Sequence, residues 1–240
     1  LGNDYLRGNV NFTVENTGLA NVDSSASTEI ISEAGTDTIS QIGVGLAYDT
    51  RGGGDLPNKG QRTSFDLSVA PDILGSQEEF YGVHLKSAWY FKGLREGHVV
   101  ELHGQVAVVD SLVSGKSVPY LYRHALGGSR SLRGFDYREV GPRGDQGDYL
   151  GGNTMMHGTF EYSIPTPFKI ARVATFYDWG VVNNAHDFEV ENYNDNWGVG
   201  LRLTIPFLGP IRFDYGVPIT DDGYNGGGKF NVNFGYTTSF

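Results

Sequence analysis

Two carboxylates, Glu161 and Asp178, are the side chains of this sequence that most clearly require a partner. They lie in neighbouring segments, 154–164 and 170–178, which alternate apolar and polar residues and are joined by the short stretch 165–169. Such alternation predicts strands, with both carboxylates on the polar face. Two carboxylates enclosed together repel each other unless a cation lies between them. The sequence therefore predicts that a basic group from elsewhere reaches this pair.

The segment GGSRSLRGFDYREVGPR, residues 127–143, is the candidate source of that cation. It combines arginines with glycines and aromatic residues, and it has neither helical nor strand periodicity. Its apolar residues Leu132 and Phe135 argue against disorder, and irregular segments this long inside a compact fold are usually functional. We therefore expect a long loop, at about 110–153, that docks onto the rest of the protein.

No pattern of side chains points to bond-making chemistry. The chain has no cysteine, which excludes disulfides, thiolate nucleophiles and thiolate metal sites. It has no GxSxG or HExxH motif. Its histidines are scattered: His84, His98, His103, His124, His157 and His186. We predict that the protein is not an enzyme and uses no metal or other cofactor.

Composition predicts one domain without a transmembrane helix. The 240 residues contain no low-complexity linker, so we predict a single domain over residues 1–240. No apolar run approaches the roughly 18 residues of a spanning helix. The formal net charge of -10 gives no reason to expect nucleic acid as a partner.

The elements that carry these side chains are predicted to be strands. About ten segments alternate with period two, and each has roughly the 8 to 12 residues of a tilted strand that crosses a bilayer. They are 5–15, 41–49, 63–70, 80–91, 98–109, 154–164, 170–178, 199–207, 211–217 and 230–240. This pattern alone fits a soluble sandwich equally well.

Two further features favour a membrane barrel. Longer and shorter connections alternate, as in outer-membrane barrels, which have long loops on one side and short turns on the other. Aromatic residues gather at predicted strand ends, where interfacial girdles lie. They are Trp89, Tyr90, Phe91, Phe176, Tyr177, Trp179, Phe207 and Phe240. The sequence therefore predicts an all-β fold, an antiparallel transmembrane β-barrel with polar side chains lining its lumen.

Several segments resemble the BamA-like members of the outer-membrane protein assembly superfamily. The residues Leu132, Arg133, Gly134 and Phe135 are similar to that family's Val/Ile-Arg-Gly-Phe/Tyr loop motif, with leucine at the first position. The later segments GGNTMMHGTFEYSIPTP, FYDWG and LGPIRFDYG and the closing strand follow in the family's order. The resemblance covers about the last half of the chain.

The resemblance implies roles for these residues. In the family, the loop arginine pairs with a glutamate and an aspartate on the two following strands, which fall here on Glu161 and Asp178. A planar guanidinium with five donors can bridge two carboxylates. Gly134 is expected to let the backbone pass close to the barrel wall, and Phe135 to anchor the loop.

The resemblance also concerns the C-terminal strand and the size of the barrel. The family's assembly signal falls on Asn233, Gly235, Thr238 and Phe240, with Thr238 in place of the usual apolar residue. The family barrel has sixteen strands. We therefore expect the ten strands to be the C-terminal part of such a barrel, in a piece of a longer protein.

The implied function is assembly of other β-barrel proteins in the bacterial outer membrane. The chain would fold and insert its clients through a lateral seam between the first and last strands. The expected partners are outer-membrane lipids, unfolded outer-membrane proteins, periplasmic chaperones and accessory lipoproteins. Two alternatives remain open: a two-partner-secretion pore that exports an unfolded protein, and the barrel anchor of a secreted hydrolase. The sequence before Leu1 would distinguish them.

Overall fold

The computed structural model describes residues 4–52, 57–184, 188–205, 209–220, 223–224 and 226–234. Within them, ten strands form one antiparallel sheet in which neighbours follow chain order. They are β1 (Leu6–Leu19), β2 (Gly35–Asp49), β3 (Gly60–Ala70), β4 (Phe80–Lys92), β5 (Val99–Ser111), β6 (Thr154–Pro165), β7 (Ala171–Asn183), β8 (Asn194–Ile205), β9 (Gly209–Pro218) and β10 (Lys229–Phe234). The predicted all-β antiparallel fold is confirmed.

The connections contain little other regular structure. A short helix, α1 (Thr28–Ser32), lies between β1 and β2, and 3-10 turns lie at Asp72–Leu74 and Tyr120–Tyr122. None of the described helices is long and apolar enough to cross a membrane. Among the described residues, β1 and β10 each pair with one neighbour only, so the sheet is not closed into a ring.

Several strands extend further than the apolar alternation predicted. β2 begins at Gly35 rather than 41, β7 ends at Asn183 rather than 178, and β8 begins at Asn194 rather than 199. The added residues of β2 and β8 are mostly polar or glycine, which period-two analysis of apolar residues does not detect, and those of β7 include the adjacent Val181 and Val182, which break the alternation. Ladder hydrogen bonds continue through them nevertheless, because backbone pairing does not depend on an apolar side chain.

The two faces of the sheet have opposite chemistry. The outer face exposes apolar side chains, and the inner face buries polar and charged ones. Exposed residues include Val10, Phe12, Val44, Leu46, Phe65, Leu85, Leu102, Phe160, Val199 and Phe230. Buried residues include Glu101, His103, His157, Glu161, Asp178, Arg202, Arg212 and Asp214. A soluble sandwich would bury the apolar face instead, so this arrangement identifies a barrel with a lipid-facing exterior.

The connections define two edges of the sheet. The long-loop edge carries 20–34, 71–79, 112–153, 184–193 and 219–228. The short-turn edge carries 50–59, 93–98, 166–170 and 206–208. The predicted alternation of lengths holds except at 71–79, which is slightly shorter than 50–59. In outer-membrane barrels the short turns face the periplasm, which assigns the short-turn edge to that side.

The aromatic girdle prediction was wrong in part. Tyr90 and Phe176 are buried on the inner face. Tyr177 and Trp179 lie within β7, because that strand continues to Asn183. Trp89 and the adjacent Phe91 face outward at the short-turn end of β4, with ring centroids 6.5 Å apart. Phe207 and Phe240 lie outside the described residues.

The long loop, residues 112–153, covers part of the inner face. Its residues Leu126, Leu132, Phe135 and Val140 form a buried apolar cluster with Ala107, Met155 and Val182 of the sheet. Nearer its start, Val118 packs with Ile39, Ala70, Phe80 and Val109. These two contacts fix the loop against the sheet and determine where its charged residues lie.

Candidate functional site

A tight turn in the long loop presents Arg133 to the inner face. Gly127 and Gly128 have φ values of 108° and 89°, in the left-handed region that favours glycine. The amide of Gly128 donates to the carbonyl of Phe135 at 3.0 Å, and the amide of Phe135 donates to the carbonyl of Leu132 at 3.1 Å. The turn therefore directs Leu132 and Phe135 into the apolar cluster and Arg133 toward the strands.

Arg133 is fully buried and binds both predicted carboxylates. Its Nη1 donates to Glu161 Oε2 at 2.8 Å. Its Nε and Nη2 donate to Asp178 Oδ2 and Oδ1 at 2.9 and 2.7 Å, a bidentate pair. The guanidinium carbon also lies 3.3 Å from the centroid of the Phe176 ring. The structure thus brings together the three residues that the sequence analysis associated, and their role in function stays a prediction.

Asp178 is enclosed by donors on three sides. Besides Arg133, it accepts hydrogen bonds from Thr159 Oγ1 at 2.9 Å and from Asn196 Nδ2 at 3.0 Å. Thr159 lies opposite Asp178 on β6, and Asn196 lies opposite it on β8. The carboxylate is therefore held as an anion away from solvent, and the guanidinium of Arg133 provides the compensating positive charge.

Two further arginines extend the cluster, and the sequence analysis did not assign them to the site. Arg202 donates through Nε and Nη2 to both oxygens of Glu161, at 2.9 and 2.7 Å, and its Nη1 lies 2.7 Å from Asp214 Oδ1. Arg212 donates to Asp214 Oδ2 from Nη2 at 2.9 Å. The three arginines thus face Glu161, Asp178 and Asp214, and these six charges balance.

A fourth carboxylate, Glu101, borders this ion cluster. It lies directly opposite Glu161 across the β5–β6 ladder and accepts a 3.3 Å hydrogen bond from the hydroxyl of Tyr90. Like charges opposite each other on paired strands repel. The bidentate contact of Arg202 with Glu161 therefore also makes the neighbouring Glu101 tolerable on this face.

Two glycines allow the loop backbone to approach the strands. A Cβ atom added to Gly134 would lie 2.7 Å from Asn196 Cβ and 3.0 Å from the Pro218 nitrogen. A Cβ atom added to Gly216 on β9 would lie 2.7 Å from the carbonyl carbon of Arg133. The conformation at Gly134 does not require glycine, so the constraint there is space. Gly216 has the matching constraint, which the sequence analysis did not identify.

The long loop also contacts the strands at both ends of the sheet. Asn231 on β10 donates from Nδ2 to the carbonyl of Arg133 at 2.8 Å. The ammonium of Lys229 on β10 pairs with the carboxylate of Asp136. At the other end, the hydroxyl of Tyr122 donates to Glu15 on β1 at 2.7 Å. The loop therefore links the two terminal strands of the described sheet across its inner face.

Comparison with known proteins identifies the family. Residues 2–240 match the Omp85 superfamily domain. This chain belongs to the Omp85 superfamily. The predicted resemblance is confirmed, and with the lipid-facing exterior it makes the chain part of an outer-membrane β-barrel.

Curated relatives share the sequence at moderate identity. The outer membrane protein assembly factor BamA of Nitratidesulfovibrio vulgaris is 29% identical over 220 residues, which are 86% of this chain and 27% of that protein. BamA of Neisseria meningitidis serogroup B is 24% identical over 68% of this chain and 22% of its own length. The sorting and assembly machinery component 50 homolog of Xenopus tropicalis is 29% identical over 81% of this chain and 40% of its length. This Omp85 chain thus spans between about a fifth and two fifths of the length of these relatives.

Solved structures confirm the barrel fold. BamA from Haemophilus ducreyi lacking POTRA domains 1-3 has a TM-score of 0.71 at 25% identity, over 82% of this chain and 42% of that one. CdiB from Acinetobacter baumannii has a TM-score of 0.54 at 18% identity, over 84% of this chain and 34% of that one. The likeness to CdiB shows a shared fold alone.

The predicted assembly signal of this Omp85 chain is described in part. Asn233 lies on β10 opposite Arg212 of β9, on the same face as Asn231. Gly235, Thr238 and Phe240 lie outside the described residues, so the signal stays a prediction from the sequence.

A second contact, on the long-loop edge, holds α1 against the long loop. The backbone amide and hydroxyl of Ser27 donate to Asp148 Oδ2 at 2.7 and 2.8 Å. Those of Thr28 donate to Asp145 at 3.1 and 2.9 Å. The hydrogen bond from the Thr28 amide, followed by that from its hydroxyl, lowers the pKa of Asp145 below the ordinary value. Sequence separation of more than a hundred residues hides this contact, here called the α1 latch, from pattern analysis.

The arrangement supports docking of the long loop. In the described part of the chain, no group of three or more histidines, aspartates and glutamates could hold a metal ion. The buried charges are instead matched to each other by bidentate and charge-assisted hydrogen bonds. Such a network fixes one position of the long loop against strands β6 to β10.

Proposed function

We propose that this chain is the C-terminal part of the barrel of an outer-membrane protein assembly factor. It folds and inserts other β-barrel proteins, and it does so without bond-making chemistry. The names of its BamA and sorting-and-assembly relatives support this function. The observation that carries the mechanism is the position of β10, an edge strand that the docked loop holds through Asn231.

An edge strand is a physical template for an incoming strand. Its unpaired N–H and C=O groups can extend the sheet by one strand, with main-chain hydrogen bonds supplying affinity. Among the described residues, β10 pairs with β9 alone. Its outward residues Phe230, Val232 and Phe234 are exposed and apolar, which suits a client strand that enters from the lipid side.

The long loop controls this edge in the proposed mechanism. Asn231 and Lys229 attach β10 to the turn that carries Arg133 and Asp136. The ion cluster in turn fixes that turn to β6, β7, β8 and β9. Docking of the loop therefore limits how far β10 can separate from the lumen, and release of the loop gives the edge more freedom. The clients are unfolded outer-membrane proteins, delivered by periplasmic chaperones and with help from accessory lipoproteins.

Crosslinking tests the proposed seam. This chain contributes no cysteine, so single cysteines can be introduced at Val232 on β10 and, as a control, at Leu102 on the central strand β5. Both residues face outward and are similarly exposed. A cysteine in the terminal strand of an unfolded client should crosslink with position 232 and not with position 102 during assembly in proteoliposomes. Equal crosslinking at both positions, or none during productive assembly, would reject the seam. Export of an unfolded protein without client insertion would identify a secretion pore instead.

A further inference from the structure

The two edges of the sheet carry opposite charge. Four of the five connections on the long-loop edge, 20–34, 71–79, 184–193 and 219–228, contain eleven aspartates and glutamates and no lysine or arginine. On the short-turn edge, the segments 92–98 and 165–172 contain four lysines and arginines and one glutamate. A chain with a net charge of -10 thus concentrates positive charge at two adjacent short turns and the strand ends that flank them. Such a local excess attracts anionic surfaces.

These two turns are held together by hydrogen bonds. Arg172 donates from Nη2 to the carbonyl of Gly97 at 2.7 Å. The hydroxyl of Tyr162 accepts from the amide of Leu94 at 3.2 Å and lies 2.7 Å from His98 Nδ1. Within the second turn, the amide of Ala171 donates to the carbonyl of Phe168 at 3.0 Å. The positions of the turn residues are therefore set by the fold.

Each turn holds a large apolar side chain in full contact with solvent. Leu94 is 92% exposed and Phe168 is 72% exposed. The basic residues Lys92, Arg95 and Lys169 beside them are also exposed. Exposing apolar side chains to water on turns fixed by hydrogen bonds costs free energy. Such turns suit a boundary between hydrocarbon and anionic headgroups.

The position of the turns favours the membrane as the partner. Leu94 lies two residues beyond the end of β4, where Trp89 and Phe91 face the lipid and stack on each other. Aromatic side chains of this kind mark the level of the headgroups. The apolar tips therefore continue the lipid-facing surface instead of starting a separate patch.

We propose that turns 93–98 and 166–170 form a binding surface for anionic phospholipids of the periplasmic leaflet. Leu94 and Phe168 enter the acyl-chain boundary, and Lys92, Arg95 and Lys169 pair with headgroup phosphates. This surface is separate from the seam and does not depend on the assembly function proposed above. It would fix the height and tilt of this side of the barrel in the membrane.

Lipid-specific quenching tests this surface. The protein, in its natural length, carries one fluorophore on a cysteine at position 94 and is reconstituted in equal parts phosphatidylcholine and phosphatidylglycerol. Nitroxide quenchers are attached to one lipid class at a time. The phosphatidylglycerol quencher should be more effective, and Lys92→Gln, Arg95→Gln and Lys169→Gln together should lower the ratio by at least about threefold. A cysteine at Ile73, which is 90% exposed on the acidic long-loop edge, is the matched control and should show no such preference.

Three results would overturn the proposal. Equal quenching by both lipids at position 94 would remove the headgroup preference. A preference abolished by inorganic phosphate in excess over lipid would identify a site for the free ion. A fluorophore shielded from both quenchers would show that protein covers the turns. Unchanged heat-dependent gel mobility of each variant confirms that the barrel is folded in every arm, so the outcome is independent of client assembly.

Discussion

Replacement of Arg133 by alanine should release the long loop while leaving the sheet folded. The two carboxylates bound by Arg133 are not affected equally. Glu161 keeps its bidentate contact with Arg202, at 2.7 and 2.9 Å. Asp178 keeps only the neutral donors Thr159 and Asn196 among the contacts described above. Most of the cost therefore arises at Asp178, where a buried anion loses its counter-ion.

The magnitude follows from that loss. Removing one partner of a buried pair costs about 3–5 kcal/mol, and at the lower end the population of the undocked loop rises by roughly a hundredfold. Limited proteolysis between Leu112 and Asn153 measures this population when opening and closing are fast relative to cleavage. The cleavage rate of Arg133→Lys should lie between those of the unchanged protein and Arg133→Ala, because one ammonium cannot reproduce three guanidinium bonds in this geometry.

Two double variants make the reasoning specific. Adding Asp178→Asn to Arg133→Ala removes the unpaired anion and should recover a large part of the protection from protease. Adding Glu161→Gln should recover little, since it takes a carboxylate away from Arg202 and leaves Asp178 unpaired. Equal recovery by both, or a cleavage rate unchanged by Arg133→Ala, would refute the account of the ion cluster.

Three other changes should each affect one contact. Gly134→Ala places a Cβ atom 2.7 Å from Asn196 Cβ and should destabilise loop docking by about 1–3 kcal/mol, measured as faster proteolysis of the loop. Gly226→Ala is the control and should have no effect, because the space around Gly226 is open. Asn231→Ala removes one hydrogen bond, worth about 1 kcal/mol, and should raise the hydrogen-exchange rate of β10 amides about fivefold. Exchange of β8 amides should not change. Unchanged exchange in β10 would show that the loop does not restrain this strand. Because the folded pKa of Asp145 is lowered, the contribution of Asp145 to the α1 latch is complete above its unfolded pKa of about 3.9 and is lost as pH falls through the folded value. Asp145→Asn should therefore accelerate exchange at the Thr28 amide at neutral pH and cease to differ from the unchanged protein in stronger acid; a difference that persists in strong acid would show that charge is not involved.

The fold could be predicted from the sequence because one pattern repeats in every strand. Apolar residues at period two, such as Val10 and Phe12 or Phe230 and Val232, fall on the exposed outer face. The apolar alternation did not predict the parts of the strands that lie beyond the hydrocarbon region. Beyond the hydrocarbon region no apolar side chain is required, so the polar starts of β2 and β8 were assigned to loops.

The candidate site could be predicted only in part. Alternation placed Glu161 and Asp178 on the inner face, and the family motif supplied Arg133. Arg202, Arg212 and Asp214 alternate with apolar residues in the same way, yet nothing local shows that they meet. Arg202 and Arg212 are directly opposite because of the register between β8 and β9. That like-charged pair is stable only with carboxylates beside it. A prediction of the β8–β9 register would have shown the two arginines opposite each other and so indicated the cluster.

The charges at this position have a physical consequence for the loop movement proposed above. Apolar residues in their place would add to the hydrophobic surface of Leu126, Leu132, Phe135 and Val140 that undocking exposes. Arginines and carboxylates are rehydrated when they separate, which offsets much of the Coulomb energy that is lost. The docked state is still specific, because the bidentate contacts of Arg133 with Asp178 and of Arg202 with Glu161 require one geometry. The ion cluster therefore gives the loop a defined closed position without adding apolar surface to the open state. In the proposed assembly function β10 accepts one client after another, and the loop that holds it requires both properties.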